Sequence, residues 1–279
     1  MKYLKTPLRY PGGKSRVCDM LVNRFSSDVS EFREPFLGGG SVALHFTQRD
    51  PEIPVWVNDK YTHLYNFWDT LQRDGDELSD ILVGIKQDNS TPEKAKELFI
   101  RSKEEISTAD PYRQAILFWI LNKCSYSGLT ENSSFSPQAS IQNFTLRGAR
   151  KLKAISEIIQ HRHITNLDYT EVMYETGENV FIFLDPPYKI KDFLYGSNAE
   201  MHKGFNHQDF VEACKLCPHP WLVTYNVDAD LKEAYAEFYQ EEFRITYGMK
   251  HRADNKFKSE LLVANYDMNP KSPLETLFV

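Results

Sequence analysis

Val180-Phe181-Ile182-Phe183-Leu184-Asp185-Pro186-Pro187-Tyr188 is the stretch on which the fold turns. Five apolar residues closed by prolines read as a strand buried on both faces, as in parallel sheets covered by helices. Open α/β sheets bind ligands beyond the carboxyl ends of their strands, which is where Asp185 to Tyr188 fall. A residue before proline is pushed into extended geometry, so Asp185 is held in one backbone state. The two prolines lack N–H groups and leave their carbonyls as acceptors. Tyr188 adds an aromatic face. Such a group suits a flat ring that carries an amine, with acceptors for its N–H groups and a platform for stacking. An ordinary Pro-Pro turn with a solvated Asp is the competing reading, and the rest of the chain decides between them.

Upstream, Arg33-Glu34-Pro35-Phe36-Leu37-Gly38-Gly39-Gly40-Ser41 leads into Val42-Ala43-Leu44-His45-Phe46. It reads as a short strand, a glycine turn and a helix capped by Ser41. Val55-Trp56-Val57 is a second strand, ending at Asn58-Asp59. Glycine turn, helix, strand and terminal acid in this order are the parts of a nucleotide-binding βαβ unit. Before it, Tyr10-Pro11-Gly12-Gly13-Lys14 pairs glycines that let a ligand approach the backbone with a lysine suited to a carboxylate or phosphate.

From Tyr61 the apolar spacing turns helical and stays so through Leu121, as in Leu64, Phe67, Trp68 and Leu71. A polar loop from Cys124 to Phe144 follows, too long for a simple connector and therefore a functional candidate. Helix Leu146 to Gln160 and strand Ile164 to Asp168 restore the α/β alternation. Past the decisive stretch come a loop, Lys189 to Lys203, and a helix, His207 to Leu216, capped by Asn206. Strand Trp221 to Tyr225, helix Asp230 to Phe238 and an antiparallel pair, Phe243 to Tyr247 with Glu260 to Tyr266, complete the pattern. The expected organisation is an α/β sheet domain interrupted by a helical insertion, with Asn269 to Val279 as an exposed tail.

At 279 residues, 41% hydrophobic and 26% charged, the chain has the composition of a soluble globular protein. It has no run near the ~20 apolar residues of a membrane span. The basic, Pro/Gly-punctuated start is unlike a secretory signal, so the expected location is the cytoplasm. Of four cysteines, only Cys214 and Cys217 lie close, on a helical pattern; buried reduced thiols are expected rather than a metal site. The net charge of −6 argues against indiscriminate nucleic-acid binding. Basic residues nevertheless cluster in three places: Lys2 to Arg16, Arg147 to Lys153, and Arg244 to Lys258. Brought onto one face, they would neutralise phosphates.

Tyr10 to Lys14, the Phe36 to Gly40 turn, the Asn58-Asp59 strand end, the helical insertion and Asp185 to Tyr188 occur in one order. That series resembles the Dam-like (D12 class) DNA adenine-N6 methyltransferases over about Leu8 to Tyr266, nearly the whole chain. The resemblance implies a Rossmann-like, S-adenosylmethionine-dependent methyltransferase sheet with a mostly helical target-recognition insertion. Catalytic parts would then span residues 1–60 and 149–268, the insertion 61–148 and the tail 269–279. It further implies that Tyr10, Lys14, Gly38, Gly40 and Asp59 contact the cofactor, with Lys14 at its methionine end and Asp59 on the ribose hydroxyls. Asp168 and Tyr169 would pack its adenine. Asp185, Pro186, Pro187 and Tyr188 would hold a target adenine swung out of duplex DNA, with Asp185 also bordering the cofactor. Lys189 to Lys203 is the candidate closing flap. No metal is required.

Target reading is implied by the same comparison. Family members acting on GATC carry a lysine where this chain has Arg9, and arginine can read guanine with two hydrogen bonds. Tyr126 and Leu129 match residues of their reading loop, whereas Glu131 stands in place of an arginine. A carboxylate cannot donate to guanine but can accept from the cytosine amino group, so GATC is not implied. Competing readings are methylation of cytosine N4, an RNA base or a protein glutamine, and a DNA-binding protein without catalysis. A cognate restriction enzyme is a partner that the residues leave open.

Overall fold

The computed structural model describes residues 3–26, 28–188, 205–246 and 257–268. Its strands are β1 (Glu31–Glu34), β2 (Val55–Asn58), β3 (His163–Thr165), β4 (Val180–Leu184), β5 (Trp221–Asn226), β6 (Tyr239–Thr246) and β7 (Phe257–Ala264). With helices between mostly parallel strands, the protein is mixed α/β, as the resemblance implies. The chain forms two compact units: Met1–Ser15 with Phe36–Tyr169, and Arg16–Pro35 with Thr170–Val279.

The first unit holds β2 and β3, parallel, with Val57 opposite Ile164. Its helices include α2 (Ser41–Arg49), α3 (Thr62–Asp88), α4 (Pro92–Glu105), α5 (Pro111–Cys124), α6 (Pro137–Gln142) and α7 (Leu146–Ile159). Their starts follow from local chemistry. Thr91 and Asp110 accept hydrogen bonds from Lys94 N and Arg113 N, and a proline opens each helix where no N–H is needed. Helix α5 is buried from Ala115 to Cys124 without interruption, so its apolar residues form the centre of this unit rather than one stripe.

The second unit contains β1, β4, β5, β7 and β6 in that order. Strand β4 pairs parallel with β1 and β5, so Asp185 extends from a strand enclosed on both edges. All five of its residues are buried, as the sequence predicts. Strands β5, β7 and β6 pair antiparallel, with Thr224 opposite Leu262 and Asn226 opposite Glu260. The Asn206 side chain accepts from Gln208 N and Asp209 N and caps α9 (His207–Leu216), as expected.

Several expectations need correction. The cap of α2 is Gly40, not Ser41: its φ of 64° is left-handed, which glycine tolerates without strain, and Ser41 Oγ pairs instead with Ser15 Oγ at 2.8 Å. The Cys124 to Phe144 segment is not an extended loop but two 3₁₀ turns (Tyr126–Gly128 and Thr130–Asn132) and α6, opened by the Ser136 cap and Pro137. Strand β3 ends at Thr165, because Leu167 N turns aside to Asn58 Oδ1 at 2.7 Å. The helix expected from Asp230 to Phe238 is Ala229–Ala234, capped by Asp228, and β6 then begins at Tyr239. An unforeseen helix, Tyr169–Tyr174, is held by Arg33, whose guanidinium donates to Val172 O (3.0 Å), Glu175 O (2.5 Å) and Thr176 O (2.9 Å).

Candidate active site

In the first unit, the glycine turn is sandwiched between two aromatic rings. A Cβ on Gly38 would lie 2.8 Å from the Tyr10 ring, and one on Gly40 would lie 2.8 Å from Cζ2 of Trp68. Trp68 Nε1 also donates to Gly38 O at 3.1 Å. The glycines therefore serve close packing here, and their positive φ values of 48° and 64° aim the peptide groups around the turn. One of those groups, Gly38 N–H, donates to Asp59 Oδ2 at 2.8 Å. Asp59 Oδ1 accepts from Tyr61 N at 2.9 Å. Burial outweighs these donors and pushes the Asp59 carboxyl up to about 7.

The ends of β2 and β3 are laced by the fully buried Asn58. Its Oδ1 accepts from Thr165 Oγ1 (2.8 Å) and Leu167 N, while Nδ2 donates to Leu167 O (3.1 Å). Leu37 N donates to Asn58 O at 2.9 Å, tying the glycine turn to the same strand end. Asp168 is brought to this corner and paired with Lys60 at 2.7 Å. The Tyr169 ring lies 5.2 Å from that of Phe36. Lys14 is buried and donates to Gly12 O at 2.9 Å, which folds its amine back over the Gly12-Gly13 turn.

The second unit carries Asp185 to Tyr188. Thr224 Oγ1, wholly buried on β5, donates to Asp185 Oδ1 at 2.7 Å and orients the carboxylate. The Tyr188 ring packs 5.9 Å from Tyr225, whose hydroxyl is in turn 2.9 Å from His207 Nδ1. The Tyr188 phenol is held well above its ordinary range by burial and by the nearby charges of Asp185 and Glu260. Glu260 is itself buried, on β7. The proline carbonyl next to Asp185 and the carboxylate together give two acceptors at one strand end.

The residues expected to read a target also converge, all within the first unit. Asn122 clasps Arg9 by both backbone groups: Arg9 N donates to Asn122 Oδ1 (3.0 Å) and Asn122 Nδ2 donates to Arg9 O (2.7 Å). Arg9 Nη1 donates to Ser125 O at 2.9 Å. A Cβ on Gly128 would meet Arg9 O at 2.5 Å, so only glycine permits this approach. Tyr126 is exposed, and its carbonyl accepts from Leu129 N at 3.2 Å. Glu131 behaves differently: its carboxylate turns inward, accepting from Tyr61 Oη and lying 2.9 Å from His63 Nδ1.

Lys5 of the first basic cluster and Lys151 of the second meet in the first unit. Lys151 Nζ donates to Lys5 O, and Lys123 Nζ donates to Pro7 O. Burial, then the neighbouring charges of Arg9 and Lys151, lower the Lys123 amine to about 7. The third cluster reaches into residues 247–256, outside the described residues, as do the candidate flap, Lys189 to Lys203, and the tail, Asn269 to Val279. The four cysteines are buried and lie in no disulfide, and Cys214 and Cys217 are the buried thiols expected. Among the described residues no group of three or more His, Cys, Asp or Glu is placed to hold a metal, and no helix is long and apolar enough to cross a membrane.

Thr224, Tyr225, Glu260, Tyr61 and His63 were not singled out from the sequence. Thr224 interrupts the apolar run Trp221 to Tyr225, and a polar residue inside a buried strand needs a partner, which is the signal that would have found it.

Comparison with known proteins supplies an independent line. The model of the D12 class N6 adenine-specific DNA methyltransferases matches residues 10–253. The type II methyltransferase M1.LlaDCHI of Lactococcus lactis subsp. cremoris is 23% identical over 276 residues, covering 92% of this chain and 94% of the relative. The type II methyltransferase M.MjaIII of Methanocaldococcus jannaschii is 23% identical over 76% of this chain and 79% of its own. The DNA adenine methylase of Serratia marcescens is 26% identical over 67% and 68%, respectively.

Proposed function

Because the chain belongs to the D12 class of N6 adenine-specific DNA methyltransferases, we propose that it draws the methyl group from S-adenosylmethionine and acts on an adenine turned out of duplex DNA. Its activity as an adenine-specific DNA methyltransferase follows from that membership, and with it a methyl donor and a DNA substrate. The roles of individual residues are the proposal.

The first unit fits the donor. S-adenosylmethionine carries a ribose diol, a charged amino-acid end and an adenine. Asp59 offers a half-buried carboxylate for the diol at a strand end beside a glycine turn. Lys14 offers an amine for the amino-acid carboxylate, with Tyr10 and the Gly38 to Gly40 peptides beside it. Asp168 and Tyr169, the latter beside Phe36, flank a place for the adenine. When bound, this cofactor supplies a methyl group on a positively charged sulfur, already activated for transfer.

Asp185 and the Pro186 carbonyl accept hydrogen bonds from the amino group of the target adenine. That group is a poor nucleophile because its lone pair is delocalised into the ring. Two acceptors pulling on its hydrogens return electron density to nitrogen as the new bond forms. The observation that carries this role is the anchorage of Asp185: it leaves a fully buried strand, precedes a proline and is held by Thr224 at 2.7 Å. Turning a base out of the stack costs a few kcal/mol, offset by stacking on Tyr188 and by backbone contacts. Lys5, Arg147 and Lys151 supply those contacts with phosphates.

Arg9, Tyr126 and Leu129 read the target, and residues 61–148 are the recognition insertion between catalytic parts 1–60 and 149–268. The type II names of two relatives support a cognate restriction enzyme as partner, and a DNA substrate fits a cytoplasmic location. Incubation with labelled cofactor and separate DNA and RNA, followed by identification of the modified base, tests the reading. N6-methyladenine in DNA is expected. Asp185→Ala should lower the rate at least about 100-fold with cofactor affinity retained. Full activity in that variant, or methylation of cytosine or RNA instead, would overturn it.

A further inference from the structure

The residue that departs most from the expected reading loop, Glu131, has its side chain turned inward. We propose that Glu131 is a positioning residue for target reading: rather than touching a base, it ties the Tyr126 to Leu129 turn to the start of helix α3 through Tyr61 and His63. The inference rests on the methyltransferase reading of the chain.

Three observations carry it. First, Oε1 of Glu131 receives both the Tyr61 hydroxyl and, at 2.9 Å, His63 Nδ1, and Oε2 is buried without a hydrogen-bond partner. A carboxylate so placed would have to give up two hydrogen bonds before meeting a cytosine amino group. Burial raises the Glu131 carboxyl and lowers the His63 imidazole, as for groups enclosed by the fold rather than open to a base.

Second, the turn that Glu131 closes is strained. Ser127 and the β-branched Thr130 have φ of 56° and 51°, a region that non-glycine residues rarely occupy. Such a backbone persists only where its surroundings over-determine it. Thr130 N is held by Ser125 Oγ at 3.2 Å, and Glu131 anchors the very next residue. Releasing that anchor lets the turn relax, and Tyr126, exposed at its head, loses its fixed direction.

Third, the anchor leads back to the proposed cofactor residues. Tyr61, whose hydroxyl holds Glu131, donates its backbone N–H to Asp59 at 2.9 Å, and Asp59 holds Gly38 N–H. Tyr61 thus serves the strand end with its main chain and the reading turn with its side chain. The two tasks can be separated, because Tyr61→Phe removes the hydroxyl and keeps the N–H.

The test maps methylated adenines on unmethylated genomic DNA treated with the wild-type protein, then compares kcat/KM on a cognate duplex and on duplexes with one base pair of the site changed. Tyr61→Phe and Glu131→Ala should each reduce discrimination about 10-fold with cofactor affinity retained. Glu131→Gln should keep most of it, since the amide carbonyl still accepts from Tyr61. If Tyr61→Phe fails to fold, His63→Leu takes its place, with the same loss expected. Undiminished discrimination in Tyr61→Phe alongside loss in Glu131→Ala would show that Glu131 reads a base by contact and overturn the proposal. Undiminished discrimination in both would overturn it as well. A wild-type protein that methylates no DNA would instead sink the enzyme reading itself.

Discussion

Thr224→Val removes one hydroxyl from a wholly buried strand and leaves the side-chain shape intact. The hydroxyl donates to Asp185 Oδ1 at 2.7 Å, a short bond to a charged acceptor. Bonds of this kind contribute about 1.5–3 kcal/mol. At about 1.4 kcal/mol per tenfold in rate, losing it should slow methyl transfer roughly 10- to 150-fold if the carboxylate must face the target amine. The other residues proposed for the cofactor take no part in this bond, so donor affinity should change by less than about threefold. Single-turnover methylation of a cognate duplex measures the first quantity, and titration of the labelled donor the second. Thr224→Ser keeps the donor and should recover most of the rate. A Thr224→Val protein that melts like the wild type and transfers at the wild-type rate would refute the role given to Asp185.

Three further outcomes concern the first unit. Asp59 has its carboxyl raised to about 7, so a proton remains bound below that pH and is lost above it. Donor binding, which uses the carboxylate as acceptor, should strengthen as pH rises through 7 and then level off, by calorimetric titration. Stability should move the other way. An acid whose folded pKa exceeds its unfolded value makes the folded state less stable as pH climbs from about 4 to about 7, by a few kcal/mol at most. Gly40→Ala adds a Cβ 2.8 Å from Trp68 at a φ of 64°, so left-handed strain of about 1–2 kcal/mol and overpacking of about 1–3 kcal/mol should lower the melting temperature measurably. A Gly40→Ala protein as stable as the wild type would mean that Trp68 has room to withdraw.

The placement of Asp185 was legible because a five-residue apolar run leaves no other position for the residues that end it. Asn206 and helix Leu146–Ile159 were legible for a similar reason, since caps and helical spacing act over a few neighbouring residues. The parts that escaped depend on register and on contacts between residues far apart in the chain. Thr224 reaches Asp185 across 39 residues and Tyr61 reaches Glu131 across 70, and no local pattern encodes either meeting. The Cys124 to Phe144 segment reads as a loop because its first turn is held from outside it by Arg9 and Asn122, although the Ser136 cap and Pro137 that open α6 are local signals. At Ser41 two local rules competed, and the left-handed glycine won over the hydroxyl.

The four enclosed cysteines give the molecule an internal clock. Burial pushes the thiols of Cys124 and Cys217 up to about 12 and about 11, and that of Cys214 higher still, so almost no thiolate exists at neutral pH. An alkylating reagent can therefore modify them only when the surrounding structure opens. Cys124 would register breathing of one unit and the pair at 214 and 217 that of the other. Mass spectrometry of briefly alkylated protein would then time the two openings separately, with no change to the sequence.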